Sequence, residues 1–154
     1  MTSLVKPRRV ARVWTLQFLF SNDVENTGLE SFSKVAISRF WDMLMASDEA
    51  KDLVKYPESK TAAASKIEGI ISNITKIDEL IITAAKNWTI CRMALVDRNI
   101  IRLAVYEMLF DEEIPAKVSI NEAIEIAKLF SDKDSTRFIN GVLDRIKKDL
   151  ESKK

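Results

Sequence analysis

The chain has no histidine among its 154 residues. That single absence removes a Ser-His-Asp triad, a Cys-His dyad, a histidine-based zinc site and imidazole acid–base chemistry. One cysteine, Cys91, leaves no intrachain disulfide and no cysteine-only zinc site, a usage that suits a reducing cytoplasm. Glycine and proline number three each, far below their usual combined share of roughly 12%. With so few chain breakers and so many good helix formers, a turn-rich β sandwich, a collagen-like chain and a disordered chain are all excluded. Gly28, Gly69 and Gly141 lie too far apart to build a phosphate-cradling loop. No uninterrupted apolar run reaches the ~18 to 20 residues of a membrane span, so the protein is expected to be soluble, or peripheral to a membrane at most. Self-similarity at the spacing of a solenoid repeat is also missing. The length suits one domain with a sizeable core.

Net charge is only +1, but it is unevenly spread: residues 1–20 hold Lys6, Arg8, Arg9 and Arg12 and no acid, a local +4. The arginines precede an apolar stretch, Val13 to Phe20, as in a targeting peptide. No small-residue cleavage site follows, and Ser21-Asn22-Asp23 looks like ordinary loop, so a cytoplasmic protein is expected.

Helical periodicity accounts for nearly everything after Pro7, which can head a helix at no cost in hydrogen bonds. The first helix is predicted from Arg8 to Asn22, with Val10, Ala11, Trp14 and Phe18 as its stripe. A second runs from about Leu29 to Ala46. The charged stretch from Ser47 to Lys60 reads as loop, because Tyr56 precedes Pro57 and is pushed out of helical geometry. Here the chain is expected to divide into two helical subdomains, about 1–58 and 59–154. Beyond it come Ile67 to Ala84 at helical spacing. Residues 93–110 follow, apolar on so much of their circumference that they predict a central helix. Ser119 and Glu122 fit a capping box at the next helix start, with Ala123, Ile124, Ala127 and Phe130 facing inward. Asp132 to Ser135 can cap a last helix carrying Phe138, Ile139, Val142, Leu143, Ile146 and Leu150. The fold class is all-α, a single domain of about seven helices.

At about 100° per residue, Arg8, Arg9 and Arg12 share one arc opposite Trp14 and Phe18, an arrangement that presents guanidinium groups outward to phosphates. Leu16 and Phe20 continue that strip as apolar residues, fit for a partner surface, a base-stacking platform or another layer of core. Short basic runs are more often plain solvated faces, and a membrane surface ranks lower still. The cations near the C-terminus, Arg145, Lys147, Lys148, Lys153 and Lys154, are most simply read as complementing a helix dipole. Glu107 and Glu122 lie in apolar helical contexts where capping or interhelical hydrogen bonding is the common explanation. No acid–base or nucleophilic constellation is present, so an enzyme is not expected, nor any cofactor.

Two blocks of residues carry a family resemblance. One is Arg8-Arg9-Val10-Ala11-Arg12 followed by Gln17-Phe18-Leu19-Phe20; the other holds Trp88, Asp97 to Glu107, IPAKVSINEAIEIAKLFS from Ile114 to Ser131, and FINGVLD from Phe138 to Asp144. Together they cover about half the chain, and it resembles the NusB family of bacterial transcription antitermination factors. The resemblance implies two helical subdomains and a non-enzymatic role. The expected partners are single-stranded boxA RNA, the small-subunit ribosomal protein that acts as NusE, and the antitermination complex on RNA polymerase. By position it places RNA contacts on Lys6, Arg8, Arg9, Arg12, Asp134 and Phe138, and contacts to the ribosomal protein on Phe20 and Asp97. Phe138 suits stacking on an unpaired base; Asp134, an acid facing RNA, would act as a brake or only as a helix cap. The family's usual tyrosine at the Phe20 position is replaced here by a ring without a hydroxyl, which implies a more apolar contact. Asn121, Glu122, Asn140 and Gly141 are expected to serve caps and close helix packing. NusB-like domains also occur fused to ribosomal RNA methyltransferases, but 154 residues leave no room for a cofactor-binding α/β domain. The alternative is a helical protein–protein module, or a homodimer that buries the arginine face.

Overall fold

The computed structural model describes residues 5–24, 34–86 and 93–153, the side chains of residues 5, 6 and 24 excepted. Gly28, Trp88, Cys91, the Lys6 side chain and residues 29–33 of the expected second helix lie outside the described residues. Among those described, every element is a helix: α1 Val5–Val24, α2 Lys34–Met45, α3 Ala50–Lys55, α4 Pro57–Ser72, α5 Ile74–Ala85, α6 Leu95–Phe110, α7 Ala116–Phe130 and α8 Lys133–Ser152. These eight exceed the seven expected because the stretch read as loop, residues 47–60, is helical on both sides of Tyr56. Its backbone, at φ −124° and ψ 64°, breaks the helix as a residue before proline should, but Pro57 then starts α4, where its missing N–H is no loss. Pro7 is likewise accommodated in the first turn of α1.

The chain forms two compact units, Met1–Ile71 and Ser72–Lys154, so Tyr56-Pro57 lies within the first and the division falls after Ile71. In the first unit Trp14 meets Trp41 edge-on at 5.9 Å between ring centroids, and Phe18 meets Phe40 at 5.6 Å. Such edge-to-face pairs add to the apolar burial of their rings. The indole of Trp14, 2% exposed, donates to Glu49 Oε2 at 2.8 Å, and Gln17 Nε2 donates to Glu49 Oε1 at 3.3 Å. A residue from the supposed loop thus satisfies a buried donor that would otherwise be costly. Ser59, at the head of α4, donates its hydroxyl to the Pro7 carbonyl at 2.7 Å and ties α4 to the start of α1.

The second unit is organised around α6, which packs against α5, α7 and α8. Ile100, Ile101, Leu103, Ala104 and Val105 are buried as expected of a central helix, but so are Asp97, Asn99, Arg102 and Glu107. Each buried polar group has a partner. Arg102 grips Asp78 of α5 with Nε and Nη2, both at 2.9 Å, and donates from Nη1 to Asn99 Oδ1 at 3.1 Å. Glu107 accepts from the Ser119 hydroxyl at 2.8 Å, so of capping and interhelical hydrogen bonding, the two roles open to it, it takes the second.

That bond corrects the expected capping box. α7 begins three residues before Ser119, with Pro115 at the N-cap, so Ser119 lies inside the helix, buried, and its hydroxyl serves Glu107 instead of a free amide. Phe130, expected inward, is 48% exposed, and Ile124 is only half-buried. At the head of α8 the cap is as expected: Asp132 Oδ1 accepts from the Ser135 amide at 2.8 Å. Ile139, Val142, Leu143 and Ile146 are buried, while Phe138 and Leu150 sit half-exposed at the edge. Gly141 does not serve close packing: a Cβ placed there would meet nothing within 4 Å.

Candidate nucleic-acid interface

The basic head of α1 is graded in depth. Arg8 is exposed, Arg9 half-buried, and Arg12 only 4% exposed, so the three do not form one uniformly outward cluster. α1 is covered on more than its Trp14 side: Leu16, on the arginine strip, is also buried, at 4%. Leu16 is therefore core. A guanidinium this deep needs partners to offset its lost hydration, and both Arg9 and Arg12 take part in interactions within the chain. Phe20, by contrast, is 38% exposed, and its ring is open to a ligand.

On the second unit, Asp134 is exposed in the first turn of α8 and Phe138 follows one turn later, half-buried. Phe138 is neither fully buried nor fully open, so part of its surface is accessible. Asp134 is not the cap residue; that role belongs to Asp132. Asp97, 6% exposed, accepts from the Ser131 hydroxyl at 3.0 Å. Ser131 is the C-cap of α7 and directly precedes the α8 cap, so Asp97 holds the corner from which the Asp134 and Phe138 helix departs.

The sequence reading missed Ser131, Arg102 with Asp78, and Glu49. Polar residues interrupting the apolar pattern of residues 93–110 were the available signal for α6. Their partners lie 24 and 34 residues away, a separation that helical spacing does not encode. The cations near the C-terminus mostly face acids one turn along α8, Arg145 with Asp149, Lys147 with Glu151 and Lys148 with Asp144. Such pairs leave little free positive field there.

Among the described residues, no group of three or more potential ligands is placed to hold a metal ion, and no helix is long and apolar enough to cross a membrane. The Tyr106 hydroxyl is pushed above its ordinary pKa by burial first, then by the nearby charges of Asp111 and Glu107, so it stays protonated at neutral pH.

The described elements define an all-α protein of two helical units. The NusB family model matches residues 9–148, and the chain belongs to the NusB family. It is 43% identical over 146 residues to the transcription antitermination protein NusB of Geotalea daltonii, covering 95% of this chain and 97% of that one. The NusB protein of Bacillus cereus is 44% identical over 143 residues, covering 93% and 98%. Among solved structures, T. maritima NusB superposes with a TM-score of 0.74 at 35% identity, covering 92% of this chain and 90% of that one. A NusB in a structure of the antitermination factors NusB and NusE with double-stranded RNA shares the fold, with a TM-score of 0.75 at 22% identity over 94% of this chain and 98% of that one.

Proposed function

We propose that the chain is a non-enzymatic RNA-binding adaptor of transcription antitermination that acts in the cytoplasm. It binds boxA-type single-stranded RNA together with the small-subunit ribosomal protein that serves as NusE, and delivers both to the antitermination complex on RNA polymerase during ribosomal RNA synthesis. The observation that carries this reading is family membership across residues 9–148, a span that takes in α1 from Arg9 onward and the Asp134–Phe138 stretch of α8.

In this reading Lys6, Arg8 and Arg9 form the phosphate-facing side, and Arg12, 4% exposed, reaches RNA only by leaving its interior contacts. Phe138 stacks on an unpaired base, and the Asp134 charge moderates affinity. Phe20 supplies an exposed ring to the ribosomal protein. Asp97 serves the ribosomal protein through the corner it holds with Ser131, more than through a projecting carboxylate.

The depth of Arg12 has a measurable consequence. If Lys6, Arg8 and Arg9 each neutralise one phosphate of a single strand while Arg12 keeps its interior contacts, log affinity falls against log salt with a slope of about −2. A slope near −3 would mean that Arg12 turns outward to a fourth phosphate. A slope near zero, measured by fluorescence anisotropy across a salt series, would overturn the electrostatic basis of the proposal.

A further inference from the structure

Gly141 is an exposed glycine in the interior of the 20-residue helix α8. A glycine there is unfavourable relative to alanine, because it loses more backbone freedom on folding and contributes no side chain. Helix interiors retain such a residue without cost to function when a neighbouring helix comes too close for a Cβ. That explanation fails here, since a Cβ at Gly141 would meet nothing within 4 Å. The missing side chain gives the chain's own fold nothing in return.

Its position indicates what does use the space. On a helix of about 100° and 1.5 Å per residue, Gly141 lies about 60° around the axis and about 4.5 Å beyond Phe138. It stands about 20° from Asp134, two turns on. Asp134, Phe138 and Gly141 therefore share one narrow face of α8, with Asp134 and Gly141 exposed and the Phe138 ring half-exposed between them. A base stacked on Phe138 brings its own ribose and phosphate over the next turn of the helix. Bare backbone at that turn admits them to van der Waals distance.

We propose that Gly141 is a contact residue for single-stranded RNA, kept without a side chain so that the sugar-phosphate backbone beside the base on Phe138 can lie against α8. This rests on the reading of Phe138 as a base platform. Glycine at a site of close backbone approach to a ligand is a general use of the residue.

The test is the pair Gly141→Ala and Gly141→Leu, with Phe138→Ala as reference, each assayed for thermal unfolding and for anisotropy with a boxA-like RNA. Alanine is expected to raise the melting temperature by roughly 2 to 4 °C, because it favours the helix and fills open space. It should nonetheless weaken RNA binding, and leucine, which also favours the helix, should weaken it by about tenfold or more through overpacking against the RNA. A more stable protein that binds RNA less well cannot be explained by damage to the fold. Unchanged RNA affinity in both Gly141 variants, with Phe138→Ala impaired, overturns this proposal alone. Wild-type protein with no affinity for the RNA overturns the base-platform reading as well. A loss confined to binding of the ribosomal protein, with RNA affinity intact, would also overturn it and assign the face to protein.

Discussion

Phe138→Ala is expected to lower affinity for a boxA-like RNA by about ten- to a hundredfold, the equivalent of one lost base–aromatic stack of roughly 1 to 3 kcal/mol. Affinity for a scrambled strand should fall less, because the arginine side of α1 supplies attraction that does not depend on sequence. The ring is half-buried at the margin of the second unit, so alanine also removes some packing. Phe138→Leu separates the two effects: leucine restores most of the apolar volume but offers no flat π surface. Equal binding by wild type and Phe138→Leu would show that the ring packs and does not stack. Loss in both variants, with a melting temperature near wild type for leucine, supports the platform.

Arg102→Ala should have the largest effect on stability. The guanidinium holds Asp78 of α5 with two hydrogen bonds at 2.9 Å and Asn99 with a third at 3.1 Å. Removing one partner of a fully buried ion pair costs about 3 to 5 kcal/mol, chiefly because the other charge is left without compensation. The Arg102 side chain is 8% exposed and that of Asp78 is 22% exposed, so water can reach the orphaned carboxylate in part. The expected loss is therefore about 2 to 3 kcal/mol, read as a lower urea midpoint at unchanged slope. Arg102→Lys should recover only a fraction, since an ammonium cannot reproduce the two-pronged grip. A loss below about 0.5 kcal/mol would mean that the pair merely balances its own desolvation.

Much of this fold was legible because helices write their period into the chain. The stripes of α1, α6 and α8 and the cap at Asp132 followed from local spacing and composition. The errors share a physical origin as well. Residues 47–60 looked like loop because charge and a Tyr-Pro pair were weighed without Glu49, which secures the segment to Trp14 and Gln17 more than 30 residues away. Ser119 resembled a cap because Ser-x-x-Glu occurs at helix starts, yet Pro115 had already opened the helix and Glu107 claimed the hydroxyl. Arg12 was placed outward because a single helix seen alone has one buried side, whereas α1 is covered on more than one, and Leu16 is the further layer of core that its position left open. Gly141 was assigned to packing by its neighbours in sequence, and only the open space around it redirects attention to a ligand.

The central claim is that the chain and a ribosomal protein jointly recognise boxA RNA. The most direct measurement is anisotropy of a labelled boxA-like strand, titrated with this protein alone and with the NusE-type ribosomal protein present, against a scrambled strand. The account predicts modest, salt-sensitive binding by the protein alone, and tighter binding that favours boxA once the partner is added. No binding of either strand by the folded protein with its partner would contradict it.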